Sequence, residues 1–226
     1  MSAIVVDLRR PPRIERLTAS IPWLADAAER EVRLPLACAG FLPVTLIAGS
    51  TFGIGLRGLA THLLAPVAAA MLLLIWRRPH AARFLGRALC AGLVATALYD
   101  LFRFGFLWSG LMQRDPIPHI GVALGLHPAW VFGYLWRYLG NGAGLALAFC
   151  ALGLRGPRAG VLYGLFVCGG LLSVLIVSPL GQEVLFPLNV TTVLMAIGGH
   201  AIYGAALGAI TSRGRGVVAA GVDERL

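Results

Sequence analysis

The chain has 226 residues, of which 58% are hydrophobic and only 13% are charged. A soluble domain carries about 25% charged residues, so this composition excludes an ordinary soluble globule and predicts an all-α, polytopic membrane protein. The net charge of +9 would suit a nucleic-acid partner. The arginines, however, lie in short clusters between apolar runs, as topology signals do, so we expect the lipid bilayer as partner and no nucleic acid.

The N-terminal region, residues 1–33, is a polar segment that we expect to lie in the cytoplasm. Its residues Ile14, Leu17, Ile21 and Leu24 follow helical spacing, which predicts either a short interfacial helix or a poorly ordered tail. No secretory signal peptide is visible in it, so we expect the first spanning segment to be retained.

Six apolar runs follow, each long enough to cross ~30 Å of hydrocarbon. Together they predict a transmembrane domain over residues 34–211, followed by a cytoplasmic tail over 212–226. Between the third and fourth runs, the Pro-containing stretch 112–128 predicts an extramembrane loop with a short interfacial or re-entrant helix. The predicted spans are residues 34–56, 58–76, 88–111, 129–154, 159–177 and 189–210.

The distribution of arginine predicts the orientation of these spans. If both termini are inside, fifteen arginines lie in the inner regions and only Arg57 and Arg114 lie in the outer loops. Because Lys and Arg concentrate on the cytoplasmic side of membrane proteins, we expect both termini to be cytoplasmic. We therefore expect a multi-pass protein of the inner membrane of a bacterial cell.

Four glycine pairs at a spacing of four residues predict close helix packing. Small residues at this spacing allow helix backbones to approach one another in lipid. The pairs are Gly49/Gly53, Gly140/Gly144, Gly160/Gly164 and Gly204/Gly208.

The third and fourth spans carry ionisable residues at matching depth. Asp100 and Arg103 are three residues apart and share one helix face. Arg137 lies on the next span, which runs in the opposite direction, and both it and Asp100 fall ~12 Å below the outer boundary. Asn141 follows Arg137 one turn deeper on the same face. An ionisable residue in a spanning segment is a functional-site candidate because it costs at least ~2.5–3.5 kcal/mol to place there.

Further polar residues fall in the same outer half of the predicted bundle. We therefore expect a polar cavity that opens to the exterior, lined by the second, third, fourth and sixth spans. In this prediction Asp100 is the candidate catalytic residue. The candidate binding residues are Arg103, Arg137, Asn141, Tyr134, Tyr138, His200 and His62.

Several functions are compatible with this pattern. The leading interpretation is a pocket that binds a small molecule or lipid headgroup, for transport or as a membrane subunit of a complex, with a homo-oligomer as another possible assembly. One alternative is an intramembrane enzyme acting on a lipid or isoprenoid, with Asp100 as acid/base and Arg103 and Arg137 holding an anion. Another is a structural anchor, in which the charges form a buried ion pair that fixes helix register.

The sequence specifies no cofactor and predicts no metal site. The five histidines form no His-x-x-x-His or His-Glu-x-x-His pair. A site combining His62, His127 and His200 with Asp100 or Glu183 is geometrically possible on the outer side. The spacing of these residues gives no specific support for it.

The last span contains His200-Ala-Ile-Tyr203-Gly204-Ala-Ala-Leu-Gly208. This stretch resembles a His-x-x-Tyr-Gly-x-x-x-Gly pattern found in the last helix of small, uncharacterised bacterial inner-membrane proteins. The resemblance covers about nine residues and implies a polytopic inner-membrane location. It carries over no assigned chemistry.

Overall fold

The computed structural model describes residues 22–77 and 79–212, with side chains at 33–73, 76–77 and 84–212. Within these ranges the chain forms helices and no β-strand. The helices, in chain order, are α1 Pro22–Ser50; α2, made of Leu56–Leu59, the π-helical turn Ala60–Leu64 and Ala65–Arg77; α3 Pro79–Trp108; α4 Ile117–Leu124; α5, made of Ala129–Leu135, the π-helical segment Trp136–Gly142 and Ala143–Ala151; α6 Gly156–Val177; α7 Gly181–Val184; and α8 Val190–Ser212.

The helices coincide with the predicted runs and differ from them mainly at their ends. Helix α1 begins at Pro22 rather than at residue 34, because proline is well tolerated in the first turn of a helix and the polar residues after it continue the same helix. Helix α4 corresponds to the short helix expected in the loop 112–128. The predictions for residues 1–21 and for the tail from 213 onward lie outside the described residues.

Five of the helices are long and apolar enough to cross a membrane, namely those containing Arg33–Ser50, Leu56–Leu73, Phe84–Trp108, Gly156–Val177 and Val190–Ser212. By length and composition the chain is therefore a multi-pass membrane protein. Many large apolar side chains lie on the outside of the bundle. Leu162 and Phe166 on α6, for example, are each 70% exposed, as expected for surfaces that face lipid.

Helix α5, the predicted fourth span, is not among these five because it carries polar residues such as Arg137 and Asn141. Its last part is enclosed by protein, since seven of the nine residues of Ala143–Ala151 are buried, whereas Trp130, Leu135 and Leu139 in its first part are exposed. It packs against α1 and α3. A helix shielded in this way tolerates polar side chains that a lipid-facing helix does not.

Glycine determines how closely α6 and α8 pack. Gly160 and Gly204 face each other's carbonyl groups, and Gly164 faces the carbonyl of His200. A Cβ at any of these positions would collide with the backbone of the opposite helix. Two of the predicted glycine pairs therefore pack against one another across a single helix–helix contact.

The other two glycine pairs behave differently. Gly144 on α5 faces the carbonyl of Gly40 on α1, and so brings these helices together. Gly53 lies beyond the end of α1 in a turn with φ of 87°, a backbone conformation that favours glycine. The prediction of close packing therefore fails for Gly53, whereas Gly49 lies within α1 and faces the side chain of Leu59 on α2.

Candidate functional site

Asp100 lies at the centre of a buried ion cluster between α3 and α5. Its Oδ1 accepts hydrogen bonds from Arg103 Nε at 3.1 Å and from Arg137 Nε at 2.8 Å. Arg137 Nη2 also lies 2.7 Å from the same oxygen. The side chain of Asp100 is only 1% exposed. The two helices thus bring Asp100 and Arg137 together, as their matching depths predicted.

A second carboxylate, which the sequence analysis missed, completes the cluster. Asp115 Oδ1 lies 2.6 Å from Arg103 Nη1 and accepts a hydrogen bond from the backbone N–H of Ile117 at 3.0 Å. Tyr134 accepts from Arg103 Nη2 at 3.0 Å and donates to Asp115 Oδ2 at 2.6 Å. All three guanidinium nitrogens of Arg103 are therefore engaged by protein groups.

The π-helical segment Trp136–Gly142 positions both Arg137 and Asn141. Two tyrosines from neighbouring helices bond to the backbone of α5 at and just after this segment. Tyr203 donates to the Gly142 carbonyl at 2.7 Å, and Tyr163 donates to the Leu145 carbonyl at 2.8 Å. Because π-helical turns occur frequently at functional sites, this fixed irregularity in α5 marks the segment as a candidate.

A cavity of about 370 Å³ lies beside the cluster, within the usual size range of small-molecule sites. Its walls are mostly apolar and come from α1, α3, α4, α5, α6 and α8, with Leu185 and Phe186 from the segment before α8. The side chains with polar atoms that line it are Tyr99, Arg103, Arg137, Asn141 and His200, together with Thr45 near its edge.

Aromatic contacts order the polar wall of the cavity. The guanidinium of Arg137 lies over the ring of Tyr99, 4.4 Å from its centroid. The edge of Tyr99 in turn meets the ring of His200, with the centroids 5.1 Å apart. His200 Nδ1 lies 2.7 Å from the carbonyl oxygen of Ala196. A carbonyl can only accept, so Nδ1 carries the hydrogen, and Nε2 of the neutral ring is an acceptor.

Two polar atoms of the site are buried and have no hydrogen-bond partner among the described residues. They are Oδ2 of Asp100 and Oδ1 of Asn141. Both atoms are acceptors, and Asn141 lines the cavity. Most buried polar groups in proteins have a partner, so an unpaired acceptor beside a cavity indicates a place where a hydrogen-bond donor fits.

Not every predicted site residue reaches the cavity. Arg103, Arg137, Asn141 and His200 line it, whereas Tyr134, Tyr138 and Asp100 do not. His62 is exposed on α2, and no residue of α2 contributes to the cavity wall. The prediction that the second span lines the pocket is therefore wrong.

The cavity also opens in a different direction from the one predicted. At the end of the bundle that carries α4 and α7, the buried side chains of Ile117, Ile120 and Phe186 cover it. Apolar residues therefore close the cavity at this end, which the distribution of arginine predicts to be the outer one. This end is further tied together by Arg114, whose Nη2 donates to the backbone carbonyl of Glu183.

The structure does not assemble a cluster of metal ligands from the residues that it describes. No group of three or more His, Cys, Asp or Glu side chains lies close enough together to hold an ion. The combination of His62, His127 and His200 with Asp100 or Glu183 is thus not brought together.

Comparison of the chain with known proteins yields no matching family model, no similar curated protein and no similar solved structure. The chemistry of the site therefore has to indicate what the protein does.

Proposed function

We propose that the protein is a six-span inner-membrane protein of a bacterium, with both termini cytoplasmic, whose cavity binds a small molecule or a lipid headgroup. It serves in transport or as the membrane subunit of a larger complex. The polar wall of the cavity lies in the outward half of the bundle. The observation that carries this proposal is the convergence of Arg137, Asn141 and His200 on one wall of an otherwise apolar cavity.

The combination of a large apolar lining and a few convergent polar groups is typical of ligand sites. The apolar walls bind the hydrophobic part of a ligand by excluding it from water, and the polar groups orient its head. Four of the helices around the cavity, α1, α3, α6 and α8, are apolar enough to cross a membrane, so the ligand that fits best is one that partitions into a bilayer.

The arrangement of Asp100 favours binding over acid/base catalysis. Asp100 does not line the cavity, and its Oδ1 is held by both Arg103 and Arg137. A general acid or base must reach the substrate directly or through one water. Asp100 is therefore a positioning residue, which holds the guanidinium of Arg137 against Tyr99.

The two arginines differ in what they can offer a ligand. Arg103 has Nε, Nη1 and Nη2 committed to Asp100, Asp115 and Tyr134. Arg137 commits Nε and Nη2 to Asp100. Arg137 is therefore the arginine that contributes to binding. Arg103 holds Asp100, Asp115 and Tyr134 in place and has no guanidinium nitrogen left for a ligand.

Native mass spectrometry of the purified full-length protein tests this proposal. The protein is incubated with long-chain amphiphiles that share one hydrocarbon chain and differ in the head: an alcohol, a carboxylate and a phosphate. We expect a saturable one-to-one adduct with at least one of them. Thr45→Trp, at the edge of the cavity, should remove the adduct by filling the space.

The matched control is Cys38→Trp, which adds the same side chain two turns away on the same face of α1. Cys38 is exposed and does not line the cavity, so this variant should retain the adduct. Adducts that accumulate without saturation, or that are equal in the two variants, would contradict a ligand site in this cavity.

A further inference from the structure

The cavity has a side opening between α1 and α6, which we call the lateral opening. Near the end that carries α7, the Thr51 carbonyl accepts from Ser178 Oγ at 2.6 Å and from the Leu180 N–H at 3.1 Å. Towards the opposite end, the rings of Phe41 and Tyr163 meet with centroids 6.0 Å apart. Between these two points the helices do not pack against each other, because the cavity separates them.

The exposure of the cavity wall shows where the opening lies. The exposed residues of the wall are Thr45 on α1 and Phe166 and Gly170 on α6. The wall residues from α3, α4 and α5 are buried or half-buried. Helices α1 and α6 are both apolar enough to cross a membrane. A gap between these two helices, partway along them, therefore faces hydrocarbon rather than water.

The charges around the cavity balance without a ligand. Arg103 and Arg137 are matched by Asp100 and Asp115, within hydrogen-bonding distance. A fully charged anion at the cavity wall would have to compete with these carboxylates for the guanidinium groups. Charge complementarity therefore favours an uncharged head.

Two of the hydrogen-bonding groups that remain on the wall are acceptors, and the third, Nη1 of Arg137, is a donor that no described protein group engages. Oδ1 of Asn141 is buried without a partner, and Nε2 of His200 is the acceptor nitrogen of its neutral ring because Nδ1 bonds to Ala196. Acceptors are satisfied by hydrogen-bond donors. A hydroxyl group supplies such a donor at no cost in charge.

We infer that the ligand of this cavity is an uncharged amphiphile with a hydroxyl-bearing head and one hydrocarbon chain, which enters from the bilayer through the lateral opening. Its hydroxyl donates to Oδ1 of Asn141, with Nε2 of His200 as a second acceptor on the same wall, and its chain lies between α1 and α6. This inference rests on the proposed binding function and specifies its ligand class and route of entry.

Photocrosslinking in lipid nanodiscs tests the inference with the full-length protein. The probes are a long-chain alcohol with a diazirine in its chain and the carboxylate with the same chain and diazirine. After irradiation, mass spectrometry of peptides locates the adducts. We expect saturable labelling of α1 and α6 by the alcohol, competed by unlabelled alcohol and weaker with the carboxylate.

Two variants test the route of entry and the recognition of the ligand head separately. Gly170→Trp should block the lateral opening and reduce labelling to background, whereas Gly169→Trp should label as wild type does. Both glycines are exposed with open space around the Cβ position, but only Gly170 lines the cavity. Asn141→Leu should lower labelling by the alcohol about fivefold, since one hydrogen bond is lost, and should not change labelling by the carboxylate.

The outcomes distinguish this inference from the proposed function. Equal labelling of the two tryptophan variants would show that the chain does not occupy the lateral opening. Stronger labelling by the carboxylate would overturn the hydroxyl head while leaving a ligand site in place. Absence of saturable labelling at the cavity by either probe, together with absence of an adduct in mass spectrometry, would refute both.

Discussion

The substitution Asp100→Asn tests whether the ion cluster holds the bundle together. It removes the carboxylate that pairs with Arg137, while Arg103 keeps Asp115. Leaving one buried charge uncompensated costs about 3–5 kcal/mol. We expect the lower end of this range, about 3 kcal/mol, because the side chain of Arg137 is still 14% exposed and partly solvated. For a chain of this size that corresponds to a fall in Tm of about 6–12 °C.

The measurement is the melting temperature of detergent-solubilised protein, followed by the loss of the monodisperse peak in size-exclusion chromatography. The double variant Asp100→Asn/Arg137→Gln removes both charges and should recover more than half of the loss. Glu183→Gln, which changes an exposed acid on α7, is the control and should remain close to wild type. If Asp100→Asn melts within about 2 °C of wild type, or the double variant is less stable than the single one, the cluster does not act as described.

Two further predictions concern packing and orientation. Gly204→Leu should reduce the folded peak and lower the Tm, because its Cβ collides with the Gly160 carbonyl and overpacking a helix contact costs about 1–3 kcal/mol or more. Gly169→Leu, which meets open space, should leave the peak unchanged, and similar profiles for the two variants would argue against the close contact of α6 with α8. The orientation is tested in a background without the four native cysteines. A cysteine replacing exposed His119 should react with an impermeant maleimide added outside intact cells, and one replacing exposed Arg155 should not. The reverse labelling pattern would invert the proposed topology.

The helices could be predicted from the sequence because their signals are local. Long apolar runs bounded by arginine, proline and glycine place each helix near its observed position. The ends were less predictable, as α1 shows by starting at Pro22. Hydropathy detects the part of a helix that contacts hydrocarbon, but it does not detect polar turns that extend the helix.

The site was predictable only where its residues lie on regular helices. Asp100 and Arg137 could be matched because the rise per residue fixes depth along a span. Asp115 lies in a connection, so its position depends on how α4 folds back over the bundle. One signal did point to it, since two buried arginines require two carboxylates and Asp100 supplies one. The next acid along the chain is Asp115.

The direction of the opening could not be read from polarity alone. The polar residues gather in one half of the bundle, and this suggested an entrance from the water on that side. The structure instead places Ile117, Ile120 and Phe186 over that end. Whether a loop seals a cavity depends on tertiary contacts, such as those between α4 and α5, and no local pattern encodes them.

The low hydropathy of α5 and the neutrality of the ion cluster have one physical origin. A helix in contact with lipid must be apolar, but a helix enclosed by others can carry polar groups if they are paired. Helix α5 satisfies this condition because Arg137 pairs with Asp100 and the Gly142 carbonyl accepts a hydrogen bond from Tyr203. Asn141 and Trp136 are exceptions, because Oδ1 of Asn141 and Nε1 of Trp136 are buried and lack a partner among the described residues. Of these two residues only Asn141 lines the cavity, and an acceptor that remains unpaired beside a cavity is best explained by a partner that comes from outside the chain.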